Sequence, residues 1–300
     1  MQKNKPFFSI IIPTYNRANL ILETLDSVFD QTFKNFEIIV VDNHSTDNTK
    51  DVLLPLISEG KIRYIQHDRN YERGKSRNTG MTNATGKYLT LLDSDDFLYP
   101  QCLYDAYVFA TENPLLELFQ NKFELVNDQR KTVYKFEFPS LNNQYKALCD
   151  GNFISCIGTF LSENVYSQFR FSEDPKMVGS EDYEIWFRVL GAYKMGRINK
   201  INAGVRQHPT RSVENTNIYD FLDYQQTMIN KTIINDANLL SKYQAYLGRF
   251  NAWFFLKKLL HIKKSKHVVF ENNLLLKAIK TDMSILFKLR FYKIIFNLIK

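Results

Sequence analysis

Residues Gly86–Pro100 read GKYLTLLDSDDFLYP. Tyr88 to Leu92 is an almost wholly apolar, β-prone run, the pattern of a strand buried on both faces. It stops abruptly in Asp93-Ser94-Asp95-Asp96. Like charges this close repel and raise one another's pKa, so three carboxylates at the end of a buried strand call for compensation. A divalent cation supplies it, since hard oxygen ligands suit Mg²⁺ or Mn²⁺. The plainer reading is a solvated turn with an aspartate cap on the helix starting near Pro100. Ligands of open α/β sheets bind at the carboxyl ends of the strands, so the neighbouring strand ends decide between the two.

Those neighbours follow one pattern. Phe7–Ile12 is a buried strand closed by Pro13-Thr14-Tyr15-Asn16, and Arg17–Asp30 has helical spacing. Phe36–Val41 is a second buried strand, ending in Asp42-Asn43-His44-Ser45-Thr46-Asp47, with a capped helix to about Ile57. Ile62–Gln66 alternates as a third strand, and NYERGKSRNTG (Asn70–Gly80) leads into a polar helix before the Tyr88 strand. Strand, loop and helix repeated with short loops predict a mostly parallel, Rossmann-like sheet flanked by helices. Three polar strand ends (PTYNR, DNHSTD, DSDD) then share one edge, where a nucleotide would sit. Neither the dinucleotide glycine fingerprint nor the GxxxxGK[ST] loop is present, so side chains must hold any phosphates.

After a helix near Gln101–Thr111 the pattern changes. Leu115–Val126, Lys131–Phe138 and Phe153–Leu161 read as strands, Glu163–Phe169 as a short helix and Ile198–Val205 as a last strand. Gly179-Ser180-Glu181-Asp182 opens a helix whose apolar side carries Tyr183, Trp186, Phe187 and Leu190, and beyond Asn217 the chain reads as helical. The expected division is 1–215, with a donor-side half 1–112 and a partner-substrate half 113–215, followed by a basic helical region 216–300.

Composition bounds the class. With 300 residues, 44% hydrophobic and 24% charged, the chain can bury a substantial core and is not disordered. Cys102, Cys149 and Cys156 fit neither a zinc spacing nor a disulfide framework, which predicts a reducing, cytoplasmic location. The opening MQKNKPFFSIIIPTYN lacks a full apolar h-region and a cleavage site, so it reads as a strand and not a signal peptide. No run reaches the roughly 18 apolar residues of a membrane-spanning helix. The net charge of +7 is uneven: Arg249–Lys300 holds 12 of the 39 Lys and Arg but only Glu271 and Asp282 of the 32 acids. A slightly acidic body with a basic tail suggests two jobs.

SIIIPTYNR, QTFKNFEIIVVDNHSTDNT, RNYERGKSRNTGM, GKYLTLLDSDD and SEDYEIWFRV, in that order, resemble the inverting family-2 glycosyltransferases of GT-A fold, of the bacterial surface-polysaccharide type. The resemblance covers about residues 7–212 and implies a nucleotide-sugar donor, usually a UDP-sugar, with Mn²⁺ or Mg²⁺ on its diphosphate. By the same resemblance Pro13, Thr14 and Tyr15 pack around the base, with Asp42 and Asn43 beside it. Many relatives have Asp-Asp there. Asn43 can still accept from a uracil imide through its amide oxygen, and the base identity stays open. Arg77 matches the family's basic residue, whose planar fork suits phosphate oxygens. Asp93 and Asp95 overlie the DxD pair: Asp95 is the implied principal metal ligand, Asp93 reaches the ribose or the metal through water, and Asp96 is a supporting or capping group. His208, in a loop resembling R-x-H-P, is implied as a further metal or diphosphate ligand. Glu181 and Asp182 match the acidic pair on the acceptor side, with Asp182 as catalytic base and Glu181 contacting substrate. No QxxRW motif follows, which favours non-processive addition.

In the tail, Arg290, Lys293, Asn297 and Lys300 share one face of Ser284–Lys300 on a 3.6-residue wheel, amid Ile, Leu, Phe and Tyr. This suits a helix lying on an anionic membrane surface, peripheral on the inner face of the cell membrane, where a lipid-linked acceptor would be met. A helix packing on the catalytic domain or within a homo-oligomer fits the same pattern. Nucleic acid is not expected as a partner, because the basic residues sit among bulky aliphatics and no base-stacking module is visible. A catalytically silent sugar-nucleotide-binding protein is the alternative to an enzyme. A nucleotidyltransferase would want a glycine-rich basic loop where PTYNRANL stands.

Overall fold

The computed structural model describes residues 5–208, 218–264, 273–287 and 291. In chain order its elements are β1 (Phe8–Thr14), α1 (Ile21–Phe29), β2 (Phe36–Asp42), α2 (Thr49–Ser58), β3 (Arg63–Gln66), α3 (Arg73–Asn83), β4 (Tyr88–Leu91), β5 (Phe97–Leu98), α4 (Cys102–Glu112), β6 (Leu118–Val126), β7 (Thr132–Lys135), α5 (Gln144–Asp150), β8 (Thr159–Ser162), α6 (Glu163–Gln168), α7 (Glu181–Ala192), β9 (Met195–Arg206), α8 (Ile218–Ile234), α9 (Ala237–Lys264) and α10 (Asn273–Thr281). Two compact units result. The first is Met1–Pro139, Ile154–Ile185 and Ala192–Arg211; the second is Ser140–Phe153, Trp186–Gly191 and Ser212–Lys300. The helical region read as starting at 216 therefore shares its unit with two earlier segments.

The first unit holds a nine-stranded sheet ordered β3-β2-β1-β4-β8-β6-β9-β5, with β7 on β6. All seven residues of β1 are buried, as befits a central strand covered on both faces. It pairs in parallel with β2 and β4, placing Ile10 opposite Ile38 and Thr90. β8 runs antiparallel to both β4 and β6, and β9 is parallel to β6. The carboxyl ends of β1, β2, β4, β6 and β9 consequently point the same way. Helix α3 can lie this close to the sheet because residue 80 is glycine: a Cβ there would stand 2.0 Å from Ile11 Cγ2. Ile10, Ile12, Leu25, Val40, Leu103, Phe119 and Phe160 belong to the buried core of this unit.

Several elements differ from the sequence reading. The helix expected from Arg17 begins at Ile21, and the N–H groups of Arg17 and Ala18 just before it are taken by Thr49 Oγ1 and Asp47 Oδ2. Phe97 and Leu98 form a short strand paired with Gly204 and Ala203, an element absent from the sequence reading. The strand expected over Phe153–Leu161 is confined to Thr159–Ser162, and that over Lys131–Phe138 to Thr132–Lys135. Helix α5 was not anticipated.

The second unit is helical. Gln144 Nε2 donates to Leu190 O (2.9 Å) and Tyr243 OH to Phe187 O (3.1 Å), tying α5, this stretch of α7 and α9 together. Asp150 accepts from Arg249 and from Trp253 Nε1 (3.2 Å), while the buried Lys258 ammonium is held by Asp223 (2.6 Å) and Gln226 (2.7 Å). Ala252, Trp253, Leu256, Ala278 and Ile285 form a separate small core. Among the described residues no helix is long and apolar enough to cross a membrane. The wheel positions Arg290, Lys293, Asn297 and Lys300 lie outside the described residues.

Candidate active site

The first two strand-end loops are laced together. Asn16, in the left-handed region at φ 51°, accepts from Thr46 N (2.8 Å) and Asp47 N (3.3 Å) through Oδ1, and its own N–H donates to Ser45 Oγ (2.9 Å). Pro13 and Thr14 are buried at the end of β1, and Tyr15 lies beyond them, 40% exposed. Asp42, fully buried, accepts from Ser45 N (2.7 Å) and from Tyr64 OH (2.5 Å). Burial, and then the Asp42 carboxylate, push the Tyr64 phenol well up, so it stays protonated as the donor.

Asn43 is enclosed by polar neighbours. Its amide donates to Asn70 Oδ1 (2.7 Å), while its oxygen accepts from Tyr71 N (3.0 Å) and faces His67 Nδ1 at 2.9 Å. One lone pair of that oxygen, the one offered to a uracil imide by the sequence reading, is taken by Tyr71 N–H, and the other is taken in the His67 tautomer that carries its proton on Nδ1. Asn43 therefore fastens the Asp42 loop to the segment entering α3. His67 Nε2 lies 3.0 Å from Thr79 Oγ1, and burial, aided by Lys75, lowers the imidazole pKa and favours the neutral ring.

Three residues remote in sequence meet at the centre. Arg77, 3% exposed, directs Nη1 to Glu181 Oε1 (2.6 Å) and Nη2 to Asp93 Oδ1 (3.0 Å). Burial opposes its charge, but the surrounding anionic groups outweigh that and raise its pKa. The fork that the resemblance assigns to phosphate oxygens grips two carboxylates in this structure. Glu181 is buried, with Oε2 accepting from Gly179 N (2.6 Å), whereas Asp182 is half-buried and accepts from Tyr183 N (2.7 Å). The acid pair therefore divides into one locked carboxylate and one more open. The Cys156 thiol lies close to Arg77, and burial pushes its pKa well up, so it is neutral.

The other half of DSDD faces the end of β9. Asp95 Oδ2 stands 3.1 Å from His208 Nε2 and 3.4 Å from Arg17 Nε. Asp96 Oδ1 accepts from Arg206 N (2.9 Å), which moors β9 to this turn and makes Asp96 a structural group. Among the described residues no group of three or more His, Cys, Asp or Glu is arranged to hold a metal ion. The expected set of Asp93, Asp95 and His208 is not gathered, because Asp93 is turned to Arg77. The Asp95–His208 pair does fit a divalent cation. Neighbouring donors of an octahedral ion at about 2.1 Å lie about 3.0 Å apart, and Mg²⁺ often takes only one or two protein ligands beside substrate phosphates.

Four contributors were not foreseen. Arg73 Nε lies 3.6 Å from Glu181 Oε1 with the side chain 27% exposed; the i, i+4 spacing from Arg77 was the available signal. Arg17 ends the PTYNR motif. Asn78 holds the chain before α7, accepting from Phe171 N (2.8 Å) and donating to Phe171 O (2.9 Å). Gly74 lets that chain approach, since a Cβ would stand 2.2 Å from Ser172 O.

Comparison with known proteins accords with this arrangement. A Rickettsia felis protein named as an uncharacterized glycosyltransferase is 29% identical over 283 residues; the match covers 91% of this chain but 45% of the relative, so the chain spans less than half its length. Escherichia coli WfgD, named a UDP-Glc:alpha-D-GlcNAc-diphosphoundecaprenol beta-1,3-glucosyltransferase, is 30% identical over 196 residues, covering 65% of this chain and 73% of that protein. Among solved structures, S. aureus TarS 1-349 in complex with UDP-GlcNAc superposes with a TM-score of 0.74 at 22% identity, covering 97% of this chain and 88% of that one, and shares the GT-A fold. Residues 9–161 match the family described as Glycosyl transferase family 2, and with half of its length inside that match the chain belongs to this family.

Proposed function

We propose that the chain transfers a sugar from a nucleotide-sugar, a UDP-sugar in the first instance, to a hydroxyl of a glycan or lipid-linked acceptor in surface polysaccharide synthesis. The carrying observation is that Asp93 and the Glu181–Asp182 pair meet around Arg77 at the strand-end edge, with Asp182 the more open acid. In the proposed step the acceptor oxygen bonds to the anomeric carbon from the face opposite the nucleotide, and Asp182 takes its proton. The bond from that carbon to the diphosphate breaks, and its electron pair leaves with the nucleotide, so configuration inverts. Mn²⁺ or Mg²⁺ held by Asp95 and His208 would offset the charge gathering on the diphosphate.

WfgD is named for a UDP-Glc donor and a diphosphoundecaprenol-linked acceptor, and the TarS structure holds UDP-GlcNAc; both support the donor class, and the first supports a lipid-linked acceptor. In α10 and just after it Leu276, Lys277, Lys280 and Met283 are each exposed, residue types that an anionic membrane surface would accept. Attachment at the inner face of the cell membrane accords with such an acceptor.

The test is a panel of UDP- and GDP-sugars, with Mn²⁺ and with EDTA, read by protection against thermal unfolding and by nucleoside diphosphate release. A UDP-sugar should protect in Mn²⁺ and give free UDP when an acceptor is added. Protection by none of the panel sinks the reading, and retained anomeric configuration in the product sinks the inverting step.

A further inference from the structure

Arg77 is paired on both sides in this structure. Its terminal nitrogens are spent on Glu181 (2.6 Å) and Asp93 (3.0 Å), and its plane lies over the Phe171 ring, 5.4 Å from the centroid. Its Nε is buried with no partner among the described residues. The helix beneath it cannot shift easily. Asn78 bonds both the N–H and the C=O of Phe171, and the absent Cβ of Gly74 lets α3 sit directly on Ser172 O. A planar guanidinium held on a fixed helix sets the separation of the two carboxylates it grips.

Those carboxylates belong to different halves of the reaction. Asp93 follows β4 on the donor side and remains 38% exposed, whereas Glu181 is buried and immediately precedes Asp182 at the start of α7. Glu181 is also fixed from behind by Gly179 N–H. Moving Asp93 against this fork moves Glu181, and with it the first turn of α7 that carries Asp182.

We infer that Arg77 is a positioning residue: it holds Asp182 in register with a donor seated at Asp93, and it is not a ligand of the diphosphate. This rests on the reading of Asp182 as the base. Filling of the donor side and readiness of the base are coupled through one side chain, so Arg77 acts on the rate of transfer and leaves nucleotide affinity alone.

The experiment pairs Arg77→Lys with Glu181→Gln. Lysine keeps the charge but cannot grip two carboxylates in a planar fork, and Glu181→Gln weakens the second grip without touching Arg77. UDP affinity in Mn²⁺ is measured by calorimetry, and kcat and donor KM by transfer. The expected result for both variants is a UDP Kd within about threefold of the parent, an unchanged donor KM and kcat lower by about tenfold or more, the pattern of an interaction made in the transition state. A tenfold weaker UDP Kd with kcat preserved makes Arg77 a phosphate ligand and overturns the inference. Should Arg77→Lys fail to fold, the cycle of Asp93→Asn, Glu181→Gln and their double variant reads the same coupling. Non-additive effects on kcat support it, and additivity within twofold refutes it. Failure of the parent to bind any nucleoside diphosphate would remove the donor reading itself, and the inference with it.

Discussion

Adjacent acids in α7 should separate stability from rate. Glu181 is buried and makes two short charge-assisted bonds, from Arg77 and from Gly179 N–H, both at 2.6 Å. Hydrogen bonds to charged groups contribute about 1.5–3 kcal/mol each, and breaking one partner of a buried pair costs about 3–5 kcal/mol. Gln keeps the shape and one acceptor, and Arg77 keeps Asp93, so Glu181→Gln should cost roughly 2–3 kcal/mol. Asp182 is half-buried, and Asn retains an acceptor for Tyr183 N–H. Its loss to stability should be smaller, starting from the helix N-terminal charge preference of about 0.5 kcal/mol. Transfer reverses the order. Asp182→Asn should cut kcat by about a hundredfold or more, the scale of general-base loss, against about tenfold for Glu181→Gln. Urea unfolding and steady-state transfer, run on the same preparations, give both orders. If Asp182→Asn proves the more destabilising, or Glu181→Gln the slower enzyme, the division of labour is wrong.

Asp95→Asn should weaken UDP binding in Mn²⁺ by about tenfold or more, because the amide cannot supply the ligand charge; equal affinity in the two proteins removes Asp95 from the metal site. The neutral His67 ring should make stability pH-dependent. Its folded pKa lies below the ordinary 6.5, so the unfolded chain binds the proton more readily. Stability should be full above about pH 6.5 and fall as pH drops from there to the folded pKa; His67→Gln, compared by urea midpoints between pH 7.5 and 5, should lose that component, and parallel profiles would refute it. Gly74→Ala should destabilise by at least about 1 kcal/mol despite a helix preference of about 0.8–1 kcal/mol for Ala, since the new Cβ meets backbone. A gain in urea midpoint would show that the contact with Ser172 yields.

The parallel half of the fold was legible because its information is local. The apolar runs at Ile10–Ile12, Ile38–Val41 and Tyr88–Leu92 are strands by burial alone, and their polar ends mark one edge. What was not legible depends on partners far along the chain. Phe97–Leu98 becomes a strand only because β9 arrives beside it, and α5 has seven residues and a buried Gln144 whose bond goes to Leu190. The site divides likewise. Strand ends indicated Asp42, Asp93 and Asp95 as candidates, and the family resemblance added Asp182 and His208. What Arg77 grips could not be read, because Glu181 lies 104 positions away. Nor could the occupation of the Asn43 oxygen, since nothing in DNHSTD announces that Tyr71 and His67 will reach it.

The DSDD turn carries one further consequence. Three carboxylates at the end of a buried strand needed compensation, and the folded chain supplies it to each: Arg77 to Asp93, Arg17 and His208 to Asp95, and the N–H of Arg206 to Asp96. Charge repulsion at this turn is therefore no argument for a resident metal. The 3.1 Å contact of Asp95 Oδ2 and His208 Nε2 is a hydrogen-bond distance that two ligands of one ion would also show, so the proposed ion rests on the donor types brought together there. A cation entering there would take over Asp95 from Arg17, an exchange of one compensation for another. A diphosphate would add to its ligand set, so the ion should bind far more tightly with the nucleotide than before it. EDTA should then abolish most donor affinity while leaving the thermal midpoint of the unliganded protein within about 1 °C, because an ion that scarcely binds without the nucleotide adds little to its stability. A large fall in that midpoint on chelation would mean that the ion holds the turn together, and that the protein's own cations do not.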